Sequence, residues 1–137
     1  MAQYNKIFKK TVAALGNGST YGDDLERYCK RKLGNKFMGV YAADEIPDLK
    51  GGVCCISNLS KRSEPGSHWI GLAKVDDRII MYDSFGRSPS KILKNAKGIT
   101  STDRDAEQRE EEENCGARTV AWLLYLDKYG IDSAIMI

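Results

Sequence analysis

Apolar side chains recur at helical spacing near the start of the chain, alternate at strand spacing in its middle, and run almost unbroken near its end. In YNKIFKKTVAAL, Ile7, Val12 and Leu15 fall on one side of a helix that Gly16 stops. Leu25, Tyr28, Cys29 and Leu33 keep the same spacing in a second helix, which Asp23 or Asp24 is placed to cap and Gly34 to close. After Gly51 and Gly52, the run VCCISN at residues 53–58 has the character of a buried strand. SHWIGLAKV and RIIMYDSF read as two strands joined by the two-residue loop Asp76–Asp77. Ser88 as cap, Pro89 in the first turn and Gly98 as stop predict a short helix. The polar stretch 99–114 predicts a short strand followed by a loop. Residues 115–129 are apolar on most sides, which predicts a buried helix ending at Gly130, and the tail IDSAIMI suits a final strand. The pattern predicts an α+β fold. A mixed, mainly antiparallel sheet packs against the buried helix, which carries Cys115 at its N-terminus, and further helices precede the sheet.

A chain of 137 residues fits one domain, 1–137, around a single core. With 42% apolar and 29% charged residues it has the balance of a globular protein. The net charge of +2 makes no electrostatic case for nucleic acid. Lys6, Lys9, Lys10, Arg27, Lys30, Arg31 and Lys32 cluster near the front, as a solvated helix face or as an anion-binding patch. No apolar run has the roughly 18 residues of a membrane span, and MAQYNKIFKK lacks the apolar stretch of a secretory signal. Cys29, Cys54, Cys55 and Cys115 form no C-x-x-C pair and His68 is the only histidine, so neither a zinc site nor another cofactor is expected. Reduced thiols in an intracellular setting follow.

The hairpin brings candidate chemistry together. With Asp76 and Asp77 as its loop, Val75 faces Arg78, Ile70 faces Asp83, and His68 faces Phe85. His68 and Asp83 are then diagonal neighbours on one face, with Cα atoms roughly 7–8 Å apart. A carboxylate on one ring nitrogen fixes the tautomer and leaves the other as a base. The alternative is a half-buried His–Asp pair that serves stability alone. Cys115 falls in the first turn of a helix, where the macrodipole favours a thiolate and free N–H groups can hold an oxyanion. Asn114 is a cap residue, and Gly116 leaves the thiol open to the backbone of a substrate. Cys54 and Cys55 sit in mid-strand and Cys29 on a helix face, so Cys115 is the candidate nucleophile. The run Glu110–Glu113 reads as a solvated loop, or as a selector of basic substrates.

The ordered set of HWIGL with His68, YDSFGR with Asp83, AEQRE with Gln108, and NCGARTVAWLL with Cys115 resembles the adenovirus-type maturation cysteine protease (adenain) and its relatives. These share a clan with the SUMO-specific proteases and with capsid proteases of large viruses and virophages. The resemblance covers residues 37–126 and includes FMGVYAADEIP and CCISN upstream of His68. It implies the site order His, Asp, Gln, Cys, with Trp after the His and Gly after the Cys. Gln108, seven residues before Cys115, would be an oxyanion donor together with the backbone N–H of the cysteine. The chain is shorter than adenain after the cysteine helix, and it carries the acidic run where the family loop is milder. The family's activation by DNA and by a disulfide-linked peptide stays open as one reading, which the charge of +2 does not support.

The expected function is therefore a cysteine endopeptidase that processes capsid or other virion precursor proteins at Gly-containing sites, in the virion and the infected cell. His68, Asp83, Gln108 and Cys115 would be its catalytic residues, with Trp69, Asn114 and Gly116 in the substrate cleft. Trp69 either walls the cleft or packs as core, and Trp122 is core. One alternative is a protease that deconjugates a ubiquitin-like protein; another is a non-enzymatic virion-associated protein in which the four residues are structural. LKGG, residues 49–52, resembles a site of the expected kind, so self-cleavage before Val53 is one reading and a turn entering a strand the other.

Overall fold

The computed structural model describes residues 1–63, 66–94, 96–103 and 106–137. The remaining residues include one position of the helix predicted after Ser88 and two of the loop before Asn114; those positions lie outside the described residues. The elements run α1 (Ala2–Leu15), α2 (Gly22–Leu33), a 3-10 turn, β1 (Phe37–Tyr41), β2 (Cys54–Asn58), β3 (Trp69–Val75), β4 (Arg78–Tyr82), α3 (Pro89–Ile92), β5 (Ile99–Ser101), α4 (Cys115–Tyr129) and α5 (Ile131–Ala134). The strands form one sheet in chain order. The fold is α+β, as the apolar pattern predicts. Two of its four pairings are parallel, however, because β1 runs with β2 and β5 runs with β4. β1 carries no strand signature strong enough to read from FMGVY alone.

Strand alternation divides the core. Cys54, Ile56, Ala73, Ile80 and Tyr82 face α4 and the N-terminal helices, whereas Cys55, Ile70, Leu72 and Met81 form a second, smaller cluster on the opposite face. α4 buries Val120, Ala121, Trp122 and Leu123 completely or almost so. Trp122 stacks on Tyr82 with ring centroids 5.4 Å apart, and its Nε1 donates to the Ala134 carbonyl.

Gly71 decides how closely the helix approaches. A Cβ there would lie 3.2 Å from Thr119 Cγ2 and 3.5 Å from Trp122, so glycine lets α4 lie on β3 without the small shift a side chain would force. Thr119 Oγ1 then donates to the Trp69 carbonyl at 3.3 Å. This clamp ties the second turn of α4 to the first residue of β3, next to His68.

Several expectations are corrected. The tail is a helix, since Ile131, Ala134 and Ile137 recur every third residue and turn toward the core, whereas a strand would send alternate side chains into solvent. Tyr21, not Asp23 or Asp24, is the N-terminal boundary of α2, with both aspartates in the first helical turn. They contribute there through the macrodipole rather than as caps. In α1 the buried residues are Tyr4 and Thr11 rather than Val12, because the Tyr4 hydroxyl reaches 2.9 Å from that of Tyr82 and rotates the helix toward the sheet. α3 is one turn long and ends well before Gly98.

Candidate active site

His68 stands immediately before β3 and Asp83 immediately after β4. The hairpin register is the expected one, with Val75 opposite Arg78 and Gly71 opposite Tyr82. Asp76 takes the left-handed conformation (φ 54°) that a two-residue loop requires and that aspartate tolerates. Extending that register makes His68 and Asp83 diagonal neighbours, and His68 Nε2 lies 2.6 Å from Asp83 Oδ1. Both are buried. An ionised carboxylate accepts only, so Nε2 carries the proton and Nδ1 is left for Cys115.

Asp83 is held on all sides. Its Oδ1 accepts from the Phe85 N–H at 3.3 Å, and its Oδ2 accepts from the Arg87 N–H at 3.1 Å and from Arg87 Nε at 2.8 Å. Burial pushes its carboxyl group up, but the bonds from His68 and Arg87 outweigh that and hold it far below the usual carboxylate range. Phe85 stacks on the His68 ring at 4.9 Å, and the Arg87 guanidinium lies over the Phe85 ring at 5.2 Å. Neither Phe85 nor Arg87 was assigned a role from the sequence. The signal for Phe85 was the register that put it opposite His68; Arg87 needed the turn at Gly86 to fold it back.

Cys115 opens α4 and is half-buried, whereas the other three cysteines are buried. Burial, as the largest cause, pushes Cys29, Cys54 and Cys55 up to about 12. Burial raises Cys115 too, but a hydrogen bond with His68 and the backbone N–H groups of Trp69 and Gly116 bring it below the ordinary cysteine value. His68 moves the opposite way. Burial disfavours its imidazolium, yet its bonds with Asp83 and Cys115 raise it above the ordinary value. The two shifts run toward each other, and each is caused in part by the other group, with the Asp83 carboxylate behind the ring.

Gln108 is buried and fixed at both ends of its amide. The backbone N–H groups of Glu107 and Gln108 donate to the Ser84 carbonyl, each at 3.0 Å. Ser84 Oγ donates to Gln108 Oε1 at 2.6 Å, which leaves the amide nitrogen on the side of the Glu112 carbonyl. Nε2 spends one hydrogen on the Glu112 carbonyl at 2.6 Å, and an amide nitrogen has two. Gln108 and Cys115 line one cleft of about 530 Å³.

That cleft also contains His68, Trp69 and Phe85. Trp69 is a wall and a brace together: it lines the cleft, and its Nε1 donates to the Thr20 carbonyl at 3.1 Å. The segment Ser19–Gly22 between α1 and α2 forms the facing edge, a contribution that no motif announced. A larger groove of about 790 Å³ on the opposite face of the sheet has no histidine or cysteine in its lining, and the chemistry belongs to the smaller cleft.

No protein-family model matches the chain, and neither does any curated protein sequence. The site therefore stands on its own geometry. No helix is long and apolar enough to cross a membrane, and no cluster of metal-ligating side chains occurs, both among the described residues.

Two cleft residues expected from the sequence are placed otherwise. Asn114 is the boundary residue of α4, since the Arg118 N–H bonds to its carbonyl, but its side chain makes no cap. It turns away from the cleft, donating to Asn17 Oδ1 and Glu112 Oε2 and accepting from Arg118 Nε. Gly116 is buried beneath the α1–α2 linker; a side chain there would collide with Thr20 Oγ1 and lie 3.2 Å from Leu25. It is glycine for packing, and not for the approach of a substrate. Gly52 sits at the far end of the sheet, its N–H bonded to the Lys74 carbonyl, while the other end of β2 pairs Asn58 with Trp69. The five residues of β2, about 17 Å, separate LKGG from the Asn58 end of the strand, and none of residues 49–52 lines the cleft of Cys115.

Proposed function

We propose that the protein is a cysteine endopeptidase. The observation that carries this reading is the set Asp83–His68–Cys115, in which the carboxylate lies 2.6 Å from His68 Nε2 and the same ring interacts with the Cys115 thiol. His68 holds the thiol proton, and the thiolate attacks a peptide carbonyl to give a tetrahedral adduct. The Gln108 amide and the free N–H groups at the start of α4 are donors for its oxyanion. His68 then protonates the leaving amine, and water, deprotonated by the same ring, releases the acyl group from sulfur. Asp83 keeps its charge throughout and orients the ring.

The likeness of the four motifs to adenain-type proteases favours Gly-containing sites in virion precursor proteins as substrates, with action in the infected cell and the virion. Iodoacetamide should alkylate Cys115 much faster than Cys29, with the rate falling in His68→Ala; equal, slow labelling of all four cysteines sinks the reading. Co-expression with candidate capsid precursors, wild type against Cys115→Ala, identifies the substrate by cleavage that only the mutant loses.

A further inference from the structure

The two chain neighbours of Asp83 grip two consecutive loop residues. Ser84 holds Gln108 through its hydroxyl and its carbonyl. Tyr82 holds Glu107, its hydroxyl donating to Glu107 Oε1 at 2.9 Å. A hydroxyl has one hydrogen to give, so the bond of 2.9 Å between the Tyr82 and Tyr4 hydroxyls is donated by Tyr4. The Arg118 carbonyl is a second, longer acceptor for Tyr4, at 3.4 Å. One directed chain therefore runs from Tyr4 in α1, through Tyr82 at the end of β4, to the residue before Gln108.

Both tyrosines are fully buried. Burial pushes Tyr4 up to about 12 and Tyr82 well above its ordinary value, so both keep their protons and remain donors through the neutral range. Phenylalanine in their place would make the same ring contacts, including the stack of Tyr82 on Trp122, without burying a hydroxyl whose bond contributes little net stability. Phenylalanine would not hold Glu107 in one direction. Each hydroxyl that donates also becomes a better acceptor, so the chain is stiffer than its bonds taken singly. Gln108 lines the cleft of Cys115, whereas Tyr4, Tyr82 and Glu107 do not. Whatever the chain does for the chemistry, it does through Gln108.

We infer that Glu107 is a positioning residue for the oxyanion donor: bonded to Tyr82, and through it to Tyr4, it fixes the backbone from which Gln108 reaches the cleft. The inference rests on the peptidase reading, and it makes the N-terminal helix part of the machinery that holds the oxyanion. Ser84 sets the direction of the Gln108 amide, and the tyrosine chain sets where the amide starts from.

Two reagents for the same sulfur separate position from reactivity. With p-nitrophenyl acetate the thiolate adds to the ester carbonyl through a tetrahedral oxyanion, the S–C bond forms, and p-nitrophenolate leaves; alkylation by iodoacetamide forms no oxyanion. Both rates are read against Cys115→Ala, and their ratio reports the oxyanion donor. Gln108→Ala should lower the ratio about tenfold and Tyr82→Phe about threefold, with a smaller fall in Tyr4→Phe. In Gln108→Ala/Tyr82→Phe the ratio should equal that of Gln108→Ala alone, because the chain acts only through Gln108. Glu107→Gln, which keeps an oxygen for Tyr82, should stay nearer to wild type than Glu107→Ala, and this pair carries the comparison if Tyr82→Phe does not fold. Hydrogen exchange of the Glu107 and Gln108 N–H groups should quicken severalfold in Tyr82→Phe, while that of Val120 in α4 stays unchanged. An unchanged ratio, unchanged exchange at 107 and 108, or a double variant in which the two losses multiply overturns the inference and leaves the peptidase standing. Slow, His68-independent alkylation of the wild type removes the peptidase reading, and the oxyanion role of the chain with it.

Discussion

Thr20 occupies the space that any side chain at position 116 would need, so the linker between α1 and α2 closes directly over the start of α4. Leu25 Cδ2 blocks the same volume from α2. Gly116→Ala should therefore destabilise the fold by about 1–3 kcal/mol, the usual cost of overpacking. Thr20→Ala in the same chain should recover a good part of it, because the two sites share one volume and their effects do not add. Urea unfolding of the two single variants and the double variant measures this. A fully additive double variant would show that Thr20 is not what Gly116 accommodates.

Gln108 should behave as a donor whose direction is set by Ser84. Gln108→Ala is expected to lower kcat by about 10²–10³-fold with little change in KM, as for loss of one oxyanion donor. Ser84→Ala keeps the amide but frees Oε1 to flip, so its loss in kcat should be smaller and in the same sense. Alkylation of Cys115 by iodoacetamide needs no oxyanion, and its rate separates this role from a general loss of fold.

The opposed shifts at Cys115 and His68 set a window of pH. The thiolate–imidazolium form appears as pH rises through the lowered Cys115 value and disappears as pH rises through the raised His68 value. Peptide hydrolysis should be bell-shaped, because the imidazolium must protonate the leaving amine, and its two limbs belong to the coupled pair. Alkylation needs the thiolate alone and should show only the acid limb. In Asp83→Asn the imidazolium loses its partner, so the basic limb should move to lower pH and the acid limb to higher pH. The maximum should drop by about 10²–10⁴-fold.

Arg87 opposes His68 for the charge of Asp83. Its guanidinium and backbone N–H hold Oδ2, and with Oδ2 pinned Oδ1 faces His68. Removing the cation in Arg87→Ala should raise the His68 pKa further and shift the basic limb of hydrolysis upward. The looser carboxylate should lower kcat at the same time. An NMR titration of the single histidine follows the first effect directly, and a fall in its pKa would contradict the arrangement.

The sequence by itself determined what depends on local spacing. Period-2 alternation and the Asp76–Asp77 loop set the β3–β4 register, and that register alone put His68 diagonal to Asp83. The polarity break before Cys115 marked a helix N-terminus. Helical spacing buried Leu25, Tyr28, Cys29 and Leu33 as expected. Contacts distant in the chain were not legible. The parallel pairing of β1 with β2, the turn of Asn114 away from the cleft, the seat of Thr20 on Gly116 and the convergence of Asn58 with Glu110 and Glu113 all join segments that no short-range pattern connects. Tertiary structure decided these because side-chain volume and hydrogen-bond partners are settled only when separate segments share one space. Gly116 is the clearest case: its position at the nucleophile suggested room for a substrate, and the packed chain fills that room with its own Thr20.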